Sequence, residues 1–474
     1  MNTLASFELD FPAWYTDVVR RAELAEHSAV RGSMVIRPYG YAIWELLQRE
    51  LDDRIKATGH ENVYFPLLIP QSVLAREGDL VEGFAPEVAV VTEAGGSVLD
   101  EPLVVRPTSE ATIWSTYARW IQSYRDLPLL YNQWANAVRW ELRPRLFLRT
   151  TEFLWQEGHT AHETAAEAIA ESLTILHRVY ADVQESVLAM PVLRGRKSAR
   201  ERFPGARETF TTEAMMRDRK ALQAATSHYL GDEFARAYGV SYTGRDGAQH
   251  HPFAASWGAS SRLVGGVVMS HGDSRGLKLP PAVAPHQVVI VPITPERSEV
   301  SEAAAAVAAA LRGAGVRVKL DERQHVRPGA KFFEWELKGA PVRLEVGARD
   351  LAGGHVTLVR RDGDVREEVP RDAVPARVGE VLREIQLGLL ADARRFLDRH
   401  TRRITEREEM VEFLSEAQGF AVTAWCGSAQ CEAGIKAETS ATIRCLTLEP
   451  EDPGADCPVC GQRGTELATW GQAY

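Results

Sequence analysis

The stretch LKLPPAVAPH, residues 277–286, most limits what this chain can fold into. Pro280, Pro281 and Pro285 fix the backbone and withhold amide donors. Neither a helix interior nor a central strand can run through them, so they read as a stiff linker. The 474 residues are too many for one ordinary core and fit about two to four domains.

Beyond the prolines the pattern alternates. QVVIVPI reads as a buried strand, SEAAAAVAAALRGAG as a helix ending at Gly313 or Gly315, VRVKLD as a strand, KFFEWELKG as a helix and VRLEVG as a strand. Such alternation predicts a small parallel α/β domain over 283–385. Before the prolines, over 1–282, helices and strands mix without that rhythm. Ile43, Leu47, Leu51 and Ile55 recur at helical spacing, with Gly59 as a stop. NVYFPLLIP reads as a buried strand interrupted by Pro66. Ile113, Tyr117, Ile121 and Tyr124 share a helical face that Thr108 or Ser109 can cap. ETAAEAIAESLTILHRVYADV is an amphipathic helix, whereas RLVGGVVMSHG reads as strand. The mixture suits an α+β domain in which helices pack on an antiparallel sheet.

All five cysteines lie at or beyond Cys426. A secreted disulfide framework would spread them, so their clustering points to metal. Cys426, Cys431, Cys457 and Cys460 form two close pairs that suit tetrahedral Zn2+. Four protein thiolates leave no open position, so the zinc is expected to be structural, and Cys445 is left as a buried thiol. Residues 386–474 are thus expected to be a C-terminal zinc-binding α+β domain. With 45% hydrophobic and 25% charged residues the chain reads as soluble and globular. No apolar run reaches about 18 residues and no signal peptide is evident, so the expected compartment is the cytoplasm, without membrane association. A net charge of −10 makes a poor bulk trap for nucleic acid. RNA would have to meet local basic stretches, such as 194–203 or 394–403, each of which reads more readily on charge alone as a solvated helix face.

The chemistry concentrates in VRWELRPRLFLRTTEFLWQEGH, residues 138–159. Four arginines surround Glu141 among Trp140, Phe147, Phe153 and Trp155. Read as strands, it is either a packed pair with an unusual polar side or the floor of a site for a large anion. Arg139 and Glu141 alternate and would share one face. Arg139 and Arg149 from adjacent strands would make a permanently charged fork for phosphate oxygens.

The composite R-x-E, loop, R-x3-F-x3-E resembles motif 2 of the class II aminoacyl-tRNA synthetases. ELLQRELDDRIKATGHENVYFPLLIP, with Pro66, is similar to motif 1, a helix and strand at the dimer interface of that family. SWGASSRLVGGVVMSHGD, with Arg262, is similar to the strand–helix of motif 3. RPTSEAT, GRKSARERFPGA, ALQAATSHYLG, SHGDSRGLKLPP and the terminal CPVCG with its final AY resemble the prolyl-tRNA synthetases of the archaeal and eukaryotic type, from HSAVRGSMVIRPYG to Tyr474. The bacterial type carries a large editing insertion for which the interval from Gly158 to Ser260 looks too small.

That resemblance implies attachment of L-proline to tRNA(Pro) with ATP and Mg2+ through a prolyl-adenylate, by a homodimer. It implies that Arg139, Glu141 and Arg262 are catalytic. It gives ATP to Arg139, Glu141, Arg149, Thr150, Gln223, Thr226, Ser260 and Arg262, with Gln223 and Thr226 near magnesium. It gives proline to Thr108, Glu110, Arg139, Trp155 and His228, Glu110 holding the secondary ammonium. In the α/β domain, which resembles the family's anticodon-binding domain, Glu345 and Arg349 are implied to read anticodon guanines. Singly, each residue has a plainer reading: a surface ion pair for Glu110, Glu345 or Arg349, a core position for His228 or Trp155, a helix cap for Arg262. Three departures stand out: Ala225 where the pattern has glycine, Ala348 where it has proline, and GQAY in place of a basic ending. The alternative is a class II paralogue that activates a proline-like amino acid for another acceptor; an inactive RNA-binding relative would not need the site arginines.

Overall fold

The computed structural model describes residues 4–76, 88–363 and 365–474. An eleven-stranded sheet dominates it. Its middle strands run, side by side and antiparallel, Val192–Arg196, Glu208–Met215, Ala221–Gly231, Phe253–Ser260, Glu152–His162 and Leu129–Val138. One face packs on the helices Phe11–Arg21, Pro38–Ala57 and Arg262–His271 around a large apolar core. Ile43, Leu47, Leu51 and Ile55 are all buried there, as their spacing predicts.

Several local expectations fail for identifiable reasons. RLVGGVVMSHG is a helix, not a strand. Leu263–His271 is buried at every residue, so it lacks the one-sided apolar stripe that marks a surface helix. Gly266 lets it approach Leu222 and Met190, whose side chains would lie 3.0 and 3.4 Å from an added Cβ. NVYFPLLIP forms only the two-residue strand Glu61–Asn62 and, after Pro66, the strand Leu68–Pro70. The proline-rich stretch is no free linker, because Leu277, Leu279, Val283 and Ala284 are buried in the main core. Ser109 does not cap the Glu110–Trp120 helix.

Beyond the prolines, Val288–Pro292 pairs in parallel with Val318–Leu320 and Val342–Val346, as the alternation predicts. Two antiparallel strands, His355–Arg360 and Arg366–Pro370, complete that five-stranded sheet. The helix Val374–Arg399 covers it and runs on to the C-terminal region. There Phe420–Trp425, Glu466–Gly471 and Thr442–Leu446 join the large sheet beside Val192–Arg196. Gly195 permits that junction: a Cβ would stand 2.2 Å from the Leu446 carbonyl oxygen.

Candidate active site

The side chains of an antiparallel sheet alternate between faces, so register alone lays out the site. On one face, His159 stands beside Ser256, Ser256 beside His228, and His228 beside Thr209. Two residues along, Glu157, Gly258, Thr226 and Thr211 form a second row. Two further on, Trp155 pairs with Ser260. His159 and Trp155 therefore mark the ends of a floor about 14 Å long. A cavity of about 410 Å³ lies over it, walled also by Thr108, Glu110, Arg139, Gln223 and Arg262.

The His159 end is acidic. Ligating atoms of Glu110, Glu157 and His159 lie within 4.8 Å of one another, all buried. Thr108 donates to Glu110, and Ser109 and Gln133 donate to Glu157. Burial alone would raise the Glu157 carboxyl, but His159, Ser109 and Gln133 outweigh it and keep it ionised. Burial alone would lower the His159 imidazole, but Glu110 and Glu157 hold it above its ordinary value. Two carboxylates facing one imidazole leave a net negative seat for a cation. His228 behaves oppositely. Burial, with His159 and Arg139 nearby, pushes it down to about 3, so it is neutral. Its Nδ1 lies 3.0 Å from the Thr209 hydroxyl, which already accepts the Phe203 amide. The Thr209 proton can therefore go to Nδ1, leaving Nε2 as the ring's donor. The Phe203 ring packs 4.6 Å from His228. Among the described residues, Trp155 Nε1, His159 Nδ1 and Ser256 Oγ are buried with no protein partner.

The other end is cationic. Arg139 follows the last residue of Leu129–Val138; its Nε donates to the Pro107 carbonyl, and its guanidinium lies over Phe153 and Trp155. Arg262 donates from Nε to the Leu148 carbonyl. Burial, together with Arg139 and Arg149, pushes Arg262 down to about 10, still fully charged at neutral pH. Guanidinium groups brought this close together suit a polyanion.

The structure thus brings Thr108, Glu110, Arg139, Trp155, Gln223, Thr226, His228, Ser260 and Arg262 onto one cavity. It corrects the geometry expected of the other three. Residues 139–151 form a loop rather than strands, so Arg139 and Glu141 do not share a strand face. Glu141 and Arg149 instead pair with each other at 3.0 Å, outside the cavity walls. The inward guanidinium pair is Arg139 with Arg262. Thr150 donates to the Glu152 carbonyl. Ala225 has no positive φ; it sits in an extended strand opposite Thr212. Ala348 opens the helix Ala348–Ala352, a first-turn position where proline is favoured but alanine costs nothing. Glu157 closes the R-x3-F-x3-E composite but carries no predicted role there, and His159, Thr209 and Ser256 went unpredicted, although the period of two counted from Trp155 points to Glu157 and His159.

Away from this cavity, Glu345 is buried and paired with Arg343 at 2.9 Å and Arg366 at 2.7 Å. Arg343 and Arg366 line a second cavity of about 250 Å³ with Phe332, Trp335 and Arg360. Arg349, on the short helix, is not part of its wall. The sulfurs of Cys426, Cys431, Cys457 and Cys460 converge, with Cys426 at 3.7 Å from Cys431 and 3.6 Å from Cys460. Tetrahedral zinc at about 2.3 Å would hold its sulfurs about 3.8 Å apart, so the four residues fit that ion. Cys445 is buried apart from them. Tyr474 folds back, donating to Asp218, with Arg145 over its ring.

Three family models match the chain in order: tRNA synthetase class II core domain (G, H, P, S and T) at 96–271, anticodon binding domain at 287–380, and prolyl-tRNA synthetase, C-terminal, at 407–474. The chain is 49% identical to a proline–tRNA ligase of Alkaliphilus oremlandii over 474 residues, covering 100% of this chain and 98% of that one. The chain belongs to the prolyl-tRNA synthetases. A second family member, proline–tRNA ligase 2 of Rhodococcus jostii, is 52% identical over 98% of this chain and 97% of its own. Among solved structures, the prolyl-tRNA synthetase of Cryptosporidium parvum complexed with L-proline and AMP superposes with a TM-score of 0.93 at 36% identity. That match covers 100% of this chain and 97% of the other. The same enzyme complexed with halofuginone and AMPPNP gives 0.94 at 37% identity, with the same coverage.

Proposed function

We propose that this prolyl-tRNA synthetase activates L-proline with ATP and transfers the prolyl group to tRNA(Pro). The observation that carries the reading is the polarity of one cavity, acidic at Glu110, Glu157 and His159 and cationic at Arg139 and Arg262. Proline brings an ammonium and a carboxylate, and ATP brings the phosphates. The acidic seat holds the ammonium, with Thr108 fixing Glu110. Phe203, His228 and Trp155 enclose the ring. Neutral His228 offers Nε2–H as a donor without adding charge beside the ammonium. Arg139 lies where the proline carboxylate must meet the α-phosphate and neutralises both. Arg262, with Ser260, Gln223 and Thr226, receives the nucleotide, and the Glu141–Arg149 pair and Thr150 border it.

The carboxylate oxygen attacks the α-phosphorus, a P–O bond to pyrophosphate breaks, and the mixed anhydride forms. The terminal ribose hydroxyl of tRNA then takes the prolyl group and AMP leaves. Neither step needs a protein nucleophile; positioning and fixed positive charge lower the barrier. Gln223 and Thr226, on the cavity wall, supply the oxygens that would hold Mg2+, which adds charge neutralisation at the phosphates. Arg139→Ala tests the reading. Proline-dependent ATP–pyrophosphate exchange should fall at least about 100-fold with the fold intact. Near-parental exchange would refute it.

Glu345 holds Arg343 and Arg366 at the second cavity, and we assign anticodon bases to that surface, with Arg349, outside its wall, as a separate contact. Guanine's O6 and N7 suit a guanidinium and its face suits Phe332. The chain belongs to the archaeal and eukaryotic type in this reading, supported by the short interval between motifs 2 and 3. Its functional units are 1–282, 283–385 and 386–474, the last holding structural Zn2+. Exposed Tyr64, Leu68, Val90 and Val98 offer an apolar surface beside motif 1 for a cytoplasmic homodimer. Sedimentation at twice the chain mass checks the dimer, and recovery in the soluble fraction of lysed cells checks the compartment. The paralogue alternative loses if purified tRNA(Pro) is charged.

A further inference from the structure

Between the strands Val192–Arg196 and Glu208–Met215, residues 197–207 form a loop over the acidic end of the cavity. Glu201, Arg202, Phe203 and Pro204 are part of the cavity wall. The start of this loop is held from the C-terminal region. Lys197 donates from Nζ to the Arg444 carbonyl at 2.9 Å. Ser198 donates its hydroxyl to Glu432 Oε1 at 2.8 Å. Ser198 and Glu432 are both buried, 234 residues apart in sequence. A weaker ion pair, Lys436 with Glu201 at 3.6 Å, repeats the contact one helical turn on. Glu432 and Lys436 both come from the helix Ala429–Thr439. At its far end the loop delivers Phe203 onto the His228 ring, and the Phe203 amide donates to Thr209, the residue that orients His228.

We propose that Glu432, acting through Ser198, is a positioning residue for the amino-acid end of the cavity, and that the C-terminal domain is thereby a working part of the amino-acid pocket. This rests on the proline reading above. A loop that begins at a fixed buried point has few ways to reach Phe203, so the pocket roof is set before the amino acid arrives. Without the Ser198–Glu432 hydrogen bond, the loop loses its buried side-chain tie to the C-terminal helix, and the roof is held less firmly at its start. Proline must then supply the ordering itself, at the cost of affinity. The nucleotide end rests on Arg139, Gln223 and Arg262, which lie outside this loop, and should be spared.

The test is ATP–pyrophosphate exchange on full-length protein carrying Glu432→Ala, Ser198→Ala, both together, or Glu432→Gln. A buried hydrogen bond to a charged group sets the scale, so KM for proline should rise about tenfold in either alanine variant. The double variant should rise no further, because the two share one interaction. KM for ATP and kcat should stay near parental values. Glu432→Gln keeps an acceptor oxygen for Ser198 and should largely restore KM. If Glu432→Ala fails to fold, Ser198→Ala, which removes one oxygen, decides alone. An unchanged proline KM in the folded alanine variants overturns the proposal. So does a joint loss in proline KM, ATP KM and kcat, the mark of general loosening. Loss of proline-dependent exchange in the parent would instead indict the functional reading itself.

Discussion

Glu213 is the most consequential buried charge outside the cavity, and replacing it makes a sharp test. It is fully buried and accepts from Lys197 at 2.7 Å, Arg444 at 3.0 and 3.1 Å, and Thr211 at 2.9 Å. Burial alone would raise its carboxyl, but Arg444 and Lys197 outweigh that and keep it ionised. Lys197 and Arg444 are themselves nearly inaccessible, so Glu213→Gln leaves two buried cations without their counter-charge. Breaking one partner out of such a group costs about 3–5 kcal/mol. Lys197 gives the prediction its sign with pH. Burial already depresses its ammonium, and loss of Glu213 depresses it further. Above that depressed value the folded variant binds fewer protons than the unfolded chain, so its stability should rise with pH up to the ordinary lysine range of about 10.4. The deficit should therefore be largest at the acid end, where Lys197 is charged in both proteins, and shrink as pH rises past the variant's depressed value. Urea unfolding followed by circular dichroism, in parent and variant at several pH values, measures both features. Replacing the whole group, Lys197→Met with Glu213→Leu and Arg444→Met, should recover most of the loss. A Glu213→Gln variant within about 1 kcal/mol of the parent, or a deficit flat in pH, would refute the reasoning.

Glu157→Gln removes the charge-assisted hydrogen bonds at the acidic seat, and proline KM in the exchange assay should rise about 10- to 100-fold. The four clustered cysteines should bring about one zinc per chain by elemental analysis; Cys431→Ser should lose the metal and lower the melting temperature, and four freely reacting thiols in native protein would sink this. Ala225→Gly, despite restoring the residue the family pattern suggests, should destabilise by about 0.5–1 kcal/mol in chemical denaturation, because an extended strand interior gains nothing from glycine.

What the residues disclose unaided depends on how one-sided their surroundings are. The Pro38–Ala57 helix buries one stripe and exposes the rest, so its spacing is readable. The Arg262–His271 helix is enclosed on all sides, and its valines mimic a strand. The α/β alternation gives the parallel strands but says nothing of the two antiparallel strands appended to them. In the site, charge identity is legible and direction is not. Ser109 looks like a helix cap, yet its hydroxyl turns to the buried pair instead, donating to Glu157 and accepting from Gln133. Arg149 looks like the second prong of a fork, but its position after a loop hands it to Glu141, and Arg262, 113 positions later, takes the inward place. Non-local partners of this kind are set by chain topology, which no local window contains.

The large sheet also dictates an order of events during synthesis. Val192–Arg196 acquires its outer neighbour, Thr442–Leu446, only after roughly half the chain has followed it out of the ribosome, and Glu466–Gly471 must then slot between two strands already made. Until then that edge offers unpaired backbone to any passing strand. Nascent chains truncated before the tail are therefore natural clients for a chaperone, even though the bond-forming floor, whose last strand ends at Ser260, has already been made.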